Sequence, residues 1–197
     1  MTSVQQGVIG QYEAAKLMMM GSNGRLEVAA PLSDDERRDQ EVHIRGQFGL
    51  ALALQVKTST YLHMYPKRTT GILQVQFDVV LDRLVNHPLY WYLFAYLEQE
   101  IMGFRDPIFL IDSTAVHTHA GPIRRGDKLH LEFQGSMSPR ARDFWARYQV
   151  HPKDLGKRVL QIIRDAGKMA GAEALPTAFG QIPDPGLLWV GSHRAAA

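Results

Sequence analysis

The residues best suited to chemistry in this chain lie in one stretch, Asp39–Lys57. Apolar and polar residues alternate over 39–45 and again over 50–57, and a glycine-bounded turn at 46–49 joins the two segments. An alternation of period two on both sides of a turn predicts a β-hairpin with one buried face. The polar positions then share the other face, with acids on the first strand and an amide and an ammonium group on the second.

Aligning the apolar faces of the two strands sets Glu41 opposite Gln55. The same register sets Asp39 opposite Lys57. Two carboxylates, an amide and an ammonium group at one edge could hold a divalent cation and a phosphate. The ordinary alternative is that these are solvated side chains of a half-buried hairpin, in which an acid and a lysine form a cross-strand pair.

A third carboxylate, Glu13, falls within a helix predicted from about Val4 to Met20. Apolar residues stand four positions to either side of it, which places Glu13 within an apolar helix face. A buried acid needs a partner, and Lys57 or a metal-bound water would serve. The alternative is an ion pair with Lys16 on the same helix.

Histidines and aromatic residues offer further candidates. His117 and His119 would share a face if they lay on a strand and could then bind a transition metal, but without a visible third ligand we favour two surface histidines beside a loop. His43 lies on the acidic face of the hairpin, either as a site residue or as an ordinary solvated histidine. The aromatic cluster at 90–96 could stack on bases, but its spacing on a predicted helix favours a role in the core.

The composition narrows the class of protein. With 197 residues, of which 45% are hydrophobic, the chain suits one domain or one domain with an appendage. It contains no cysteine and no signal-like N-terminus, which excludes disulfides and predicts a cytoplasmic protein. The longest apolar stretch, 89–97, is too short to cross a bilayer. A net charge of +2 permits a nucleic-acid partner without requiring one.

The elements that must position the candidate residues follow from periodicity and from turn residues. Besides the first helix, we predict a helix over Pro88–Ile101, because a proline suits its first turn and an apolar stripe follows. Besides the hairpin, we predict strands at 25–30, 69–80, 107–112 and 128–133. Two more helices are predicted at 139–149 and 152–167, before a tail that begins at about residue 171.

This order of elements, with an acid on one hairpin strand and Gln-x-Lys on the other, resembles the PD-(D/E)XK nuclease superfamily, also called restriction-endonuclease-like. Within it, the chain looks most like small stand-alone prokaryotic domains of uncharacterised function, often found near defence genes. The matching motifs are Gly10-Gln-Tyr-Glu13, the stretch from Pro31 through Asp34 and Asp35 to Asp39, Gln55-Val-Lys57-Thr58-Ser59, Tyr90-Trp-Tyr and Pro107–Asp112. The resemblance spans roughly residues 4–112, just over half of the chain.

The resemblance implies an α/β fold with a restriction-endonuclease-like core of helix, three strands, helix and strand. A central mixed sheet flanked by helices would form this core. We assign the core domain to residues 1–135, and a helical C-terminal extension with its tail to residues 136–197.

The resemblance also implies roles for the site residues. Asp39 would match the principal metal ligand of the family, with Glu41 as a second ligand or the true one. Gln55 stands where an acid is commoner, and its amide oxygen can still face a metal. Lys57 would orient or activate the attacking water, and Glu13 would complete the catalytic set. The implied cofactor is Mg²⁺ or Mn²⁺, bound by Asp39, Glu41 and Gln55.

The predicted function is a metal-dependent nuclease that hydrolyses phosphodiester bonds of DNA in a prokaryotic defence or mobile-element context. The alternatives are a catalytically inactive module of the same fold that binds nucleic acid or a partner protein, and a purely structural or interaction module. DNA or another nucleic acid is the expected partner, with no membrane, and a homodimer is left open. Basic residues could line a phosphate-binding cleft: Lys67, Arg68, Arg124, Arg125, Arg140, Arg142, Arg147, Lys153, Lys157 and Arg158.

Overall fold

The computed structural model describes residues 1–31, 39–65 and 70–169. Its helices are α1 (Ser3–Gly21), α2 (Ser113–His119) and α3 (Leu155–Met169). Its strands are β1 (Leu26–Ala29), β2 (Gln40–Ile44), β3 (Gln47–Ser59), β4 (Leu62–His63), β5 (Ile72–Val80), β6 (Tyr90–Glu98), β7 (Gly103–Phe104), β8 (Ile108–Asp112), β9 (Ile123–Arg125), β10 (Lys128–Ser136) and β11 (Gln149–Val150). The predicted tail and the candidate residues Asp34, Asp35, Lys67 and Arg68 lie outside the described residues.

The strands form two sheets. The central sheet has the order β1-β2-β3-β6-β8-β11, with β7 paired to β6. It is mixed, because β3 and β6 run parallel and the other pairs are antiparallel. The smaller sheet, β4-β5-β10-β9, is antiparallel throughout. The prediction of an α/β protein with a central mixed sheet is confirmed.

The helices α1 and α3 pack against one face of the central sheet and against each other. Ala14 and Met18 of α1 and Leu155 and Val159 of α3 are fully buried in one apolar cluster with side chains from that face. The two helices approach closely at Gly156, where a Cβ would collide with the backbone of Met18. The smaller sheet covers the opposite face of the central sheet around a second apolar cluster.

The predicted helix over Pro88–Ile101 is wrong, because this segment forms β6 at the centre of the sheet. Tyr92 and Phe94 are buried against the smaller sheet, and Leu93 is buried on the helix side. A strand covered on both faces is apolar at nearly every position, so its sequence also satisfies a helical stripe. The β-favouring aromatic residues of this stretch carried the better signal. Their predicted role in the core is confirmed for Tyr90, Tyr92 and Phe94.

The other elements agree with the sequence, with one exception. The first helix, the strands predicted at 25–30, 69–80, 107–112 and 128–133, and the helix predicted at 152–167 all have counterparts in the structure. The helix predicted at 139–149 is only a 3₁₀ turn over Phe144–Tyr148, which Asp143 caps by accepting a hydrogen bond from Trp145 N. Within the described residues, no helix is long and apolar enough to cross a membrane.

The hairpin is antiparallel as predicted, but its register differs by two residues. Val42 pairs with Leu52, and Glu41 therefore stands opposite Ala53 instead of Gln55. The strand β3 begins at Gln47, directly after a tight turn in which Gly46 adopts a φ of 75°. An irregularity between residues 43 and 44 absorbs the resulting mismatch. A shift of two residues keeps every side chain on its face, so the alternation alone could not reveal it.

Candidate active site

The Asp39 side chain connects the start of β2 to the middle of the Gln55-Val-Lys57 motif. Asp39 lies just before β2, and its Oδ2 accepts a hydrogen bond from Val56 N at 2.6 Å. The Asp39 N donates to Leu54 O at 3.1 Å. Two bonds to one strand determine where this carboxylate lies. It is attached to the backbone between the two polar residues of the motif.

Gln55 and Lys57 share one face of β3, because Val56 between them points to the other face. Gln55 is 5% exposed and pairs with Tyr92 on the parallel strand β6. The Nζ of Lys57 lies 5.6 Å from the centre of the Phe77 ring, which belongs to the smaller sheet. A cation at this distance from an aromatic ring gains about 0.5–1 kcal/mol at an exposed site. The amide and the ammonium group therefore lie where the two sheets meet.

Helix α1 is docked on β3 one residue after Lys57. A Cβ at Gly10 would lie 2.6 Å from Thr58 Cγ2, so only a glycine lets the helix approach this strand so closely. The Gln6 Nε2 donates to Thr58 O at 2.6 Å and to Thr58 Oγ1 at 3.2 Å. Gly10, which matches the glycine before the first-helix glutamate in the family resemblance, thus has a packing role beside the motif.

The same helix is tied to β2 one residue after Asp39. The side chain of Gln40 is buried, and its Nε2 donates to Gln11 O at 2.6 Å. Its Oε1 is buried without a hydrogen-bond partner among the described residues. An unsatisfied buried acceptor costs about 1–3 kcal/mol. This oxygen is therefore a ready acceptor for a bound water between β2 and α1.

The other two predicted acids have different neighbours from those that the sequence predicts, although Glu41 lies on the same sheet face as Gln55. The Glu13 side chain is 11% exposed and forms an ion pair with Lys16, the alternative that the sequence left open. Its Oε1 lies against Gly103 of β7, on the helix side of the central sheet. Glu41 stands between Ala29 and Ala53, and the predicted pairing of Glu41 with Gln55 is wrong.

The histidines lie in different surroundings from those that the sequence predicts. The Nε2 of His43 lies 2.9 Å from Glu27 Oε2 on β1, away from the motif. His117 and His119 belong to helix α2 and not to a strand. Residues two positions apart on a helix do not lie on the same face. His119 contacts the Phe144 ring, while His117 is buried, so the prediction of a surface residue is wrong for His117.

A buried polar network next to the motif was not visible in the sequence. The Tyr92 hydroxyl lies 2.9 Å from His117 Nε2, and His117 Nδ1 lies 2.6 Å from Asn86 Oδ1. Because the Asn86 oxygen can only accept, Nδ1 carries the hydrogen and Nε2 accepts from the hydroxyl. Burial lowers the pKa of His117 to about 4, against a raising effect of the Asp112 charge. The His117 side chain is therefore a neutral imidazole buried next to Tyr92, which is the strand partner of Gln55.

The donors at the motif fit one kind of metal ion. Within residues 1–31, 39–65 and 70–169, no three acidic or histidine side chains are grouped to hold a metal. The Asp39 carboxylate and the Gln55 amide oxygen are nonetheless hard oxygen donors. Mg²⁺ takes one or two carboxylates and keeps several waters. The pair fits Mg²⁺ or Mn²⁺ and lacks the nitrogen and sulfur ligands that zinc or copper would need.

The candidate basic residues that the structure describes lie in several different parts of the fold. Arg124 and Arg125 lie in the exposed hairpin of β9 and β10, and Arg140 and Arg142 lie in the loop after β10. Arg147 lies over the Phe144 ring at 4.5 Å, and Lys157 pairs with Asp154. Arg124 and Arg125 therefore lie at one end of the smaller sheet, and Arg140 and Arg142 lie at the other end.

No protein-family model and no curated protein matches the sequence. The structure is similar to that of a bacterial homing endonuclease, I-Ssp6803I, with a TM-score of 0.48 and 17% sequence identity. The match covers 85% of this chain and 98% of that one. A likeness this distant does not establish a common function.

Proposed function

We propose that this chain is a metal-dependent nuclease that hydrolyses phosphodiester bonds of DNA, in a prokaryotic defence or mobile-element context. One observation carries the proposal: the Asp39 carboxylate is hydrogen-bonded to Val56 N, between Gln55 and Lys57. A carboxylate and an amide oxygen can hold a hard cation, and an ammonium group can stabilise charge on a phosphate, which are two tasks in metal-dependent phosphodiester hydrolysis. The ordered motifs that resemble the PD-(D/E)XK superfamily support the same interpretation.

Each residue has a distinct task in this proposal. Asp39 and Gln55 would hold Mg²⁺ or Mn²⁺, which when bound supplies the polarisation of the phosphoryl oxygen and the acidity of a water. The backbone bond of Asp39 holds its carboxylate at the motif before any substrate arrives. Lys57 would stabilise the charge that develops on the phosphate and orient the attacking water. The contact with Phe77 restricts where the ammonium group can lie.

A second candidate is a nuclease-fold module that binds nucleic acid or a partner protein without cutting. The placement of the acids favours it, since Glu13 pairs with Lys16 and Glu41 stands opposite Ala53. Only an activity measurement separates the two candidates.

The experiment is incubation of the full chain with plasmid and with single-stranded DNA, in Mg²⁺, Mn²⁺ or EDTA. We expect cutting that requires the metal and that falls about hundredfold or more in Asp39→Asn and Lys57→Ala. Asp39→Asn keeps an oxygen that can accept from Val56 N, while it removes the charge and replaces the second oxygen with an NH2 donor. Matched controls are Asp82→Asn and Lys168→Ala at exposed residues outside the candidate site, which should cut like the wild type.

Binding without cutting under all metal conditions would favour the inactive module. Cutting that survives both Asp39→Asn and Lys57→Ala would place the chemistry elsewhere or in a contaminant, and the proposal would be wrong.

A further inference from the structure

The outward face of the two central strands of the smaller sheet carries an ordered set of polar side chains. Strands β5 and β10 pair in register over nine residues, and alternate positions point away from the core. The outward positions include three cross-strand pairs, which we call the amide face: Gln74 with Gln134, Gln76 with Glu132, and Asp78 with His130. The inward positions, among them Leu131 and Phe133, fill the second apolar cluster.

Hydrogen bonds among these side chains hold the amide groups in place. The Glu132 Oε1 accepts from both Gln74 Nε2 and Gln134 Nε2. Bonds from Gln134 and then from Gln74 and Gln76 hold the pKa of Glu132 below its usual value. Each amide nitrogen that donates to Glu132 has a second hydrogen to donate, and each amide oxygen can accept. The glutamines therefore present a donor and an acceptor side by side, in an orientation that Glu132 fixes.

Positive charge lies at both ends of the amide face. At the turn of the β9–β10 hairpin, Arg125 of β9 stands opposite Lys128 of β10, and both side chains are exposed. Arg140 and Arg142 are exposed in the loop at the other end, which Asp143 ties to Ser136 N. The nine residues of β10 span about 27 Å at roughly 3.4 Å per residue. The arrangement is a row of hydrogen-bonding groups between two basic ends.

We infer that the amide face reads base edges in the major groove of double-stranded DNA, while the basic ends contact the phosphates. A glutamine or asparagine amide can pair with adenine N6 and N7 at once. Within the described residues, the edge strands β4 and β9 pair only with residues 72–73 and 128–130, so between these ends β5 and β10 form a two-stranded ribbon. A two-stranded ribbon fits the major groove, which is about 12 Å wide. Successive pairs on one face of a ribbon are about 6.8 Å apart, which matches two base steps of about 3.4 Å. The three pairs thus match about five base pairs.

The inference deepens the proposed function, since it rests on DNA as the substrate and adds sequence recognition on a separate surface. Phe77, between the outward residues Gln76 and Asp78, contacts Lys57 from the inner side of the same strand. The ribbon therefore lies directly over the candidate active site. Because the amide face points outward and Lys57 lies on the inner side, the face and the candidate active site are on opposite sides of the ribbon.

The test selects bound sequences from a library of randomised duplex DNA with the full-length protein in EDTA, where metal-dependent cutting is suppressed. We expect a preferred sequence with adenines, and we expect Gln74→Ala with Gln134→Ala to reduce its discrimination about tenfold or more per contacted base pair. Gln134→Arg should shift the preference at one position from adenine to guanine, a gain that misfolding cannot produce. Gln99→Ala, an exposed glutamine outside the smaller sheet, is the control.

The substitutions Arg125→Ala and Arg142→Ala separate the ends from the face. Each should weaken all sequences equally and reduce the salt dependence of binding by about one unit of slope per lost phosphate contact. A preference that the amide variants leave unchanged, or no binding of duplex DNA by the wild type, would overturn the inference. A protein that never cuts but loses its preference in the amide variants would support the inference and contradict the nuclease. DNA cutting by a protein whose sequence preference does not depend on the amide face would support the nuclease and contradict the inference.

Discussion

A glycine-to-alanine substitution should have opposite effects on stability at two positions of helix α1. A Cβ at Gly7 would meet no atom within 4 Å beyond its own helix, whereas a Cβ at Gly10 would lie 2.6 Å from Thr58 Cγ2. Gly7→Ala should raise the free energy of unfolding by about 0.5–1 kcal/mol, because alanine favours the helix. Gly10→Ala gains the same amount but overpacks the helix–strand contact, which costs about 1–3 kcal/mol.

Urea denaturation followed by tryptophan fluorescence measures both variants. The free energy of unfolding of Gly10→Ala should lie about 1–3 kcal/mol below that of Gly7→Ala, a separation of a few degrees or more in melting temperature. In a Thr58→Ser background the clashing methyl is gone while the oxygen that accepts from Gln6 remains. Gly10→Ala should then behave like Gly7→Ala. Equal stability of the two alanine variants in the wild-type background would refute the close approach of α1 to β3.

Two further predictions concern the core. The pKa of His117 is about 4 in the folded protein and about 6.5 when unfolded, so the unfolded chain takes up the proton first as the pH falls. Stability should be full above about pH 6.5 and lower by about 2 kcal/mol at pH 5, and urea titrations of His117→Gln should lack this loss. Leu93→Ala should cost about 2–5 kcal/mol, since Leu93 is fully buried. The exposed Ile101→Ala should change the free energy of unfolding by less than about 0.5 kcal/mol, and equal costs in thermal melts would contradict the burial of β6.

Local patterns were sufficient for most of the elements. The period of two in residues 39–57 predicted the hairpin, and Gly21 marked the end of α1. These features depend on neighbours within a few residues, which the sequence displays directly. The β6 segment could not be assigned in the same way, because a strand buried on both faces leaves no polar alternation.

The candidate site divides along the same line. Residue types and spacing pointed to Asp39, Gln55 and Lys57, because the chemistry of the groups and their alternation are local properties. Only the tertiary structure decided the register that removed Glu41 from Gln55, the ion pair that occupies Glu13, and the approach of Phe77 to Lys57. Each of these depends on a turn geometry or on a contact between segments far apart in the chain. Pairing energies at such distances depend on the whole packing, and a register shift of two residues leaves the sequence pattern unchanged.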